Sequence, residues 1–260
     1  MMSSTLLALE TSGKSGSVAI LSGPTDLGAY PNHPFDGFEW NEVVLDPAYG
    51  SAKTLMPAVE RLLSSQRLVP SSLSAIAIIR GPGSFTGLRV GVATAKAMAY
   101  ALQIPVVALD GLDVIARQLM IGTRADELRP QRLLAVVDAY RGQMFCAEYA
   151  FEGDTMRTVQ PTHVVDNVAL LEQIASPEFH SGWVGGPGVE KLKKQWEASA
   201  GVSNSRSIRW ESGPHAFPSA ATVARLGWME WIAGKTEDMW SLLPRYYRSS
   251  AAEEKQSQKF

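Results

Sequence analysis

One cysteine, Cys146, stands in 260 residues, which excludes an internal disulfide and any multi-cysteine zinc or iron–sulfur centre within one chain. The four histidines, His33, His163, His180 and His215, are scattered, and no two fall at the helical spacing of a metal-ligand pair. A metal site is not expected. Charge of one sign is lacking too: 24 Lys and Arg against 26 Asp and Glu leave a net charge of −2, too weak a field to hold a polyanion over the whole surface. Any nucleic-acid contact has to be local or shared with a partner. No basic segment precedes the short apolar run 6–9, so no export signal is read, and the most apolar stretch, 88–109, is broken by Arg89, Lys96, Gln103 and Pro105. The expectation is a soluble, cytoplasmic protein without membrane contact.

What is present is ordinary globular material, 45% hydrophobic and 19% charged, with 22 Gly and 15 Pro. At roughly 150 residues per domain the length makes one to two domains. Apolar runs at 6–9 and 18–21 flank the polar turn 11–16, and 38–45 reads as a third strand. Leu55, Met56, Val59, Leu62 and Leu63 recur at helical spacing and predict a helix over 52–64. A strand at 75–79, a helix over 86–102 and a strand at 105–109 complete an α/β lobe over residues 1–110. A helix from 111 to 120 and a polar loop over 122–132 then lead to a second round of the same theme. Strand 134–138 ends in Asp138, 139–142 is a turn, and 143–149 is the returning strand. A further strand at 181–184 enters Gly185, Gly186, Pro187 and Gly188 and a helix over 189–198. The second lobe is placed at 111–218, the Trp-rich helix 219–234 is expected to complete the first, and the polar tail 249–260 is expected to fray.

Residues 8–15 read A-x-x-x-x-G-K-S, one substitution from a P-loop, but a P-loop needs a helix directly after Lys14-Ser15, and 17–21 read as strand. The loop from Gly81 through Pro82, Gly83, Ser84, Phe85, Thr86, Gly87 and Leu88 to Arg89 is more informative. Its glycines allow tight backbone, Ser84 or Thr86 is placed to cap the next helix, and its amides are candidates to face an anion. A plain strand-to-helix turn explains the same residues. Along that helix Gly87, Gly91, Ala95 and Ala99 recur every four residues, a smooth stripe that serves either core packing or the docking of a partner. Ser84 lies in no G-x-S-x-G elbow and Cys146 lies within a strand, so neither reads as a nucleophile. Glu10 and Asp138 each end a strand, either as turn residues or as a carboxylate pair across a cleft between lobes.

Four stretches together resemble the TsaB (YeaZ) family of tRNA threonylcarbamoyladenosine biosynthesis, over almost the whole chain. They are Leu7-Ala8-Leu9-Glu10-Thr11-Ser12 with Ser17-Val18-Ala19, the loop from Gly81 to Gly91, Asp138-Ala139 with Arg141-Gly142-Gln143-Met144-Phe145, and Pro244-Arg245-Tyr246-Tyr247-Arg248. The resemblance implies a two-lobed α/β fold of the actin-like, Hsp70-like and sugar-kinase-like (ASKHA) kind, with duplicated ribonuclease-H-like domains. It implies a non-catalytic dimerisation subunit, without metal, that binds and activates the threonylcarbamoyltransferase TsaD for N6-threonylcarbamoyladenosine formation at position 37 of tRNA. TsaE would join through the TsaB–TsaD pair, tRNA would bind only within the complex, and the isolated chain would form a homodimer. The pairing surface would be the first two helices, through Leu55, Met56, Val59, Leu63, Gly87, Gly91, Val92, Ala95, Met98 and Ala99, with Ala95→Arg expected to break pairing but not folding.

No cofactor is implied beyond weak ATP or ADP binding at the complex interface. The residues placed to hold an anion or nucleotide are Glu10, Thr11, Ser12, Gly81, Gly83, Ser84, Thr86, Arg89 and Asp138. The family's usual His-Ser-Glu start of the first helix is Ser51-Ala52-Lys53 here, after a longer loop with His33, Trp40 and Tyr49. The glycoprotease label given to TsaD relatives finds neither a zinc pair nor a nucleophile in this chain. The alternative is a small-molecule kinase or ATPase of the same fold, with Glu10 and Asp138 about a metal–nucleotide complex and Gly185 to Gly188 near the adenosine.

Overall fold

Along strand β1 (Ser3–Glu10) successive side chains point to opposite faces, Leu7 and Leu9 to one and Leu6 and Ala8 to the other, and all four are buried. A strand buried on both faces belongs in the middle of a covered sheet. The computed structural model describes residues 3–25, 35, 37–121, 130–153, 155–179, 181–199 and 208–248, and β1 is central there. It pairs antiparallel with β2 (Ser17–Pro24), which pairs antiparallel with β3 (Glu39–Val44). On its other side β4 (Ala75–Gly81) and then β5 (Val106–Asp110) run parallel to it, giving the order β3-β2-β1-β4-β5.

Helices α1 (Ser51–Ser65) and α2 (Phe85–Leu102) cover the face carrying Leu7, Leu9, Val18, Ile20, Ile76 and Ile78. The opposite face offers smaller residues, Ala8, Ala19 and Ala77 among them, to α6 (Ala220–Ile232), whose Ala220, Val223, Ala224 and Trp228 fill it. Gly227 is what lets α6 settle so close: a Cβ there would collide with the Cβ of Ala77. The N-terminus of α6 is held by side chains from distant parts of the chain. Ala220 N–H donates to Ser17 Oγ at 2.8 Å, Ala221 N–H to Glu42 Oε1 at 3.3 Å, and Thr222 N–H to Ser219 Oγ at 3.2 Å. Three of the four amides a helix start leaves open are thereby satisfied. After α6 a strap crosses back over the sheet. Glu237 N–H donates to Val106 O at 2.8 Å, its carboxylate pairs with Arg80 at 3.0 Å, and Lys96 Nζ donates to the carbonyls of Trp240 (3.3 Å) and Leu242 (3.2 Å).

The chain divides into two compact units, Met1–Val114 with Pro218–Pro244, and Ile115–Phe217 with Arg245–Phe260, the junction falling inside α3 (Gly111–Ile121). The second unit repeats the first in topology. β6 (Arg132–Tyr140), β7 (Gln143–Glu152) and β8 (Thr155–Asp166) are antiparallel, while β9 (Trp183–Gly185) and β10 (Arg209–Glu211) run parallel to β6, in the order β10-β9-β6-β7-β8. α4 (Asn167–Ala175) and α5 (Val189–Ala198) pack Leu170, Ile174 and Leu192 against Leu134, Val136, Met144 and Cys146. Both sheets thus follow the ribonuclease-H-type plan that the duplicated strand–carboxylate–hairpin pattern foreshadowed. Sequence periodicity missed β8, α4 and β10. β8 is an edge strand largely open to solvent, carrying Arg157, Thr158, Gln160 and Pro161, so it has no buried face to impose alternation.

No helix among the described residues is long and apolar enough to cross a membrane. The tail 249–260, most of the polar loop 122–132, His33 and His180 lie outside the described residues. Gly227→Ala is expected to destabilise the protein by about 1–3 kcal/mol, read as a lower urea midpoint, because the new methyl forces α6 off Ala77. An unchanged midpoint would show that the contact is slack.

Candidate docking face and glycine loop

The loop from Gly81 to Gly87 grips the end of β1. Ser84 N–H donates to Ser12 O at 2.8 Å, and Thr11 Oγ1 donates to Gly87 O at 2.8 Å. A Cβ on Gly83 would sit 2.6 Å from Ser12 Cβ, one on Gly87 would strike Thr11 O, and one on Gly91 would strike Thr11 Oγ1. These three glycines make room for the two residues that follow β1. Ser84 caps α2, its Oγ accepting from Gly87 N–H at 3.3 Å, and two amides offered by the sequence to an anion, those of Ser84 and Gly87, are engaged within the protein. Thr86 and Arg89 lie exposed on the first turn of α2, and Gly81 is buried beneath it. Lys14 and Ser15 lie in the β1–β2 hairpin and are followed by strand, the geometry that a P-loop lacks.

Glu10, the last residue of β1, is fully buried. Its Oε1 accepts from Ser12 N–H at 2.6 Å and from Ser12 Oγ at 2.5 Å, while Oε2 has no hydrogen-bond partner. Burial pushes its pKa from 4.5 up to about 7; the hydrogen bonds from Ser12 and Gly13 oppose the rise and Glu42 adds to it. Asp138 occupies the matching place in the second unit and has a different solution. It accepts from Tyr140 N–H and pairs with Lys191 of α5, both at 2.8 Å. Each carboxylate meets its partners inside its own unit. Gly186 and Gly188 are likewise taken up by β6: a Cβ on the first would collide with Val136 O, and on the second would lie 3.0 Å from Asp138 N. The Cys146 thiol is buried in β7, and burial with Glu148 nearby pushes its pKa well above the ordinary range, which makes it an inert core residue.

The ten residues assigned from sequence to the pairing surface divide on burial. Leu55, Val59, Leu63, Gly87, Gly91, Val92, Ala95 and Ala99 are buried in the first unit's own interior. Atoms that water cannot reach cannot touch a second chain, so these eight are corrected to core positions, and an arginine at Ala95 would break the fold before any interface. Met98 is half-buried and Met56 remains 49% exposed. The outward face of α2 consists instead of Arg89, Ala93, Ala97 and Tyr100, with Met56 and Ala52 on α1. Across its 18 residues α2 carries only two charges, Arg89 and Lys96, and Lys96 is tied to the strap. A helix that is apolar on its solvent side as well as its core side is one expected to be covered. The signal was in the sequence: Ala93 and Ala97 sit two residues off the stripe of Gly91, Ala95 and Ala99, hence on the opposite side of the helix. At the start of α1 Gly50 (φ 67°) provides no side-chain cap, and Thr54 Oγ1 donates to its carbonyl at 2.9 Å.

Two mixed five-stranded sheets of one topology, with helices on both faces of the first, define an α/β protein of the ASKHA class. A family model described as TsaD, tRNA N6-adenosine threonylcarbamoyltransferase, matches residues 48–207. The chain is 31% identical over 170 residues to the threonylcarbamoyladenosine biosynthesis protein TsaB of Bacillus subtilis, spanning 65% of this chain and 66% of that one. It is 25% identical over 250 residues to TsaB of Haemophilus influenzae, spanning 96% and 95%. The solved structure of YeaZ from Pseudomonas aeruginosa superposes with a TM-score of 0.69 at 25% identity, covering 94% of this chain and 99% of that one. The chain belongs to the TsaD-like family, on its TsaB (YeaZ) branch.

Because Glu10 holds its proton in the folded state to a higher pH than in the unfolded chain, its contribution to stability is complete below about pH 4.5 and is lost as pH rises through about 7. The loss is on the order of 3 kcal/mol. Glu10→Gln is expected to remove this part of the pH dependence and to raise the melting midpoint above pH 7. Parallel stability–pH curves for the two proteins would rule it out.

Proposed function

We propose that this chain is a non-catalytic subunit of tRNA threonylcarbamoyladenosine biosynthesis that pairs with the threonylcarbamoyltransferase TsaD through the outward faces of α1 and α2. The observation that carries the reading is the exposed side of α2, where Arg89 at one end is the single charge, Ala93 and Ala97 allow close helix approach and Tyr100, 57% exposed, offers a large anchor. The partner follows from the matched family: its model covers residues 48–207, which include both helices, so TsaD would bring counterparts of α1 and α2 to meet them. A pseudo-symmetric helix packing is the natural outcome, and in the absence of TsaD a second copy of this chain is the next best occupant.

In this reading the chain contributes shape and order rather than chemistry. Glu10 and Asp138, the carboxylates best placed for catalysis in sequence, are engaged by Ser12 and by Lys191. The transfer of the threonylcarbamoyl group to adenosine 37 of tRNA belongs to TsaD, with TsaE joining the pair and nucleotide bound weakly at the complex interface.

Ala97→Arg and Ala93→Glu test the pairing. Each is expected to weaken the heterodimer with TsaD of the same organism by about 2 kcal/mol or more, some thirtyfold, in light scattering of the mixed proteins. Each is expected to leave stability within about 0.5 kcal/mol, as for other surface changes. Undiminished co-elution of both variants overturns the docking face, and threonylcarbamoylation of tRNA that proceeds equally without this chain overturns the role.

A further inference from the structure

The outward face of α2 is too small to hold a partner by itself. With its neighbours on α1 it consists of Arg89, Ala93, Ala97, Tyr100, Met56 and Ala52, and three of those six are alanine. A stable interface draws on roughly 20–30 residues a side. More surface has to adjoin the helices, and the sheet order gives its place. In the order β3-β2-β1-β4-β5, α1 lies over β2 and β3, and α2 over β4. The strap after α6 comes next, bridging to β5 at Val106 and burying Leu242 in the core that α1 and α2 share. The strap is therefore the neighbour of α2 on the side away from α1.

Where it meets α2 the strap is firmly held. The Asp238 carboxylate accepts from Trp240 N–H at 3.2 Å and from Ser241 N–H at 3.3 Å, and the Asp238 carbonyl accepts from Leu242 N–H at 3.0 Å. Lys96 Nζ, from α2, reaches the carbonyls of Trp240 and Leu242. With the backbone fixed in this way, two large apolar side chains of the strap are left outside: Trp240 is 70% exposed and Leu243 67%. The Trp240 ring packs edge-on against that of Tyr100, centroids 5.5 Å apart, so the strap's apolar surface is continuous with the outward face of α2. Residues 239–244 carry no charge. A single exposed leucine needs no explanation, but a tryptophan and a leucine on a pinned backbone beside an exposed tyrosine make a patch of the kind that a partner covers. A preorganised aromatic ring also loses little freedom on contact, which is why such rings anchor interfaces.

We propose that the strap, through Trp240 and Leu243, is a third element of the docking face beside α1 and α2, and that an apolar pocket of TsaD closes over the Trp240 ring. A chain that covers Tyr100 must also meet the ring that touches it, so the strap takes the same occupant as α2. The identity of that occupant rests on the function proposed above.

Cys146 is buried and inert, so Leu243→Cys places a single reactive thiol on the strap. Saturating TsaD of the same organism is expected to slow its labelling by a maleimide about tenfold or more, because the centre of an interface excludes solvent. In equilibrium titrations with TsaD, Trp240→Ser is expected to weaken pairing about thirtyfold and Trp240→Phe only severalfold, with both melting midpoints retained.

An unchanged labelling rate in a mixture that co-elutes as the heterodimer overturns the proposal and leaves the α1–α2 face standing. So does undiminished pairing of Trp240→Ser. A chain that forms no complex with TsaD overturns the function proposed above, and this occupant with it. Slowing that develops in the chain alone as its concentration rises, as strong as that with TsaD, overturns the assignment to TsaD in favour of a second copy.

Discussion

The first unit turns on the grip between the end of β1 and the start of α2. Two hydrogen bonds, Ser84 N–H to Ser12 O and Thr11 Oγ1 to Gly87 O, bring a strand end and a helix start closer than any side chain would permit. Everything on that face follows. Because α2 is held against Thr11 at Gly87 and Gly91, its next inward positions, Val92, Ala95 and Ala99, fall on the sheet, and α1 fills the remaining area with Leu55, Val59 and Leu62. The rotation of α2 about its axis is fixed by the same contacts, and so the alanines on the far side must face outward. The stripe of small residues is spent on the interior, and the exposed alanines are its consequence on the other side.

The two units share a topology but diverge where their central strands end in acid. Glu10 is fully buried with one oxygen lacking a hydrogen-bond partner, and burial raises its pKa to about 7. Asp138 remains paired with a lysine supplied by α5. The two carboxylates thus stand at matching places in the two sheets with different local partners, Ser12 for one and Tyr140 N–H with Lys191 for the other.

Much of this was legible in the sequence because the first unit's strands are buried on both sides and its helices are strongly periodic. The repeat of strand, carboxylate and hairpin at Glu10 and Asp138 disclosed the duplication before any coordinates. What could not be read was orientation. Leu55, Val59 and Ala95 carry the same pattern whether a helix face meets its own sheet or a partner, and only the position of Thr11 decides between them. Edge strand β8 was invisible for the opposite reason, since solvent on both sides imposes no alternation. The backbone angles at Tyr140 and Arg141 were also hidden, because neither residue type announces a left-handed conformation.

The way α6 is anchored has a consequence for synthesis. Its helix closes a sheet whose five strands end at Asp110, yet about 100 residues of a different unit intervene before Pro218. At roughly 5–20 residues per second, the ribosome exposes the alanine-lined side of the first sheet for on the order of ten seconds before its cover arrives. For that interval Leu6, Leu21 and Ile79 form an uncapped apolar plane, a natural substrate for a nascent-chain chaperone. The second unit has most of its chain, Ile115–Phe217, made in one run, so a truncation that reaches back through α6 strips the cover from the N-terminal sheet as well as the second unit's closing segment.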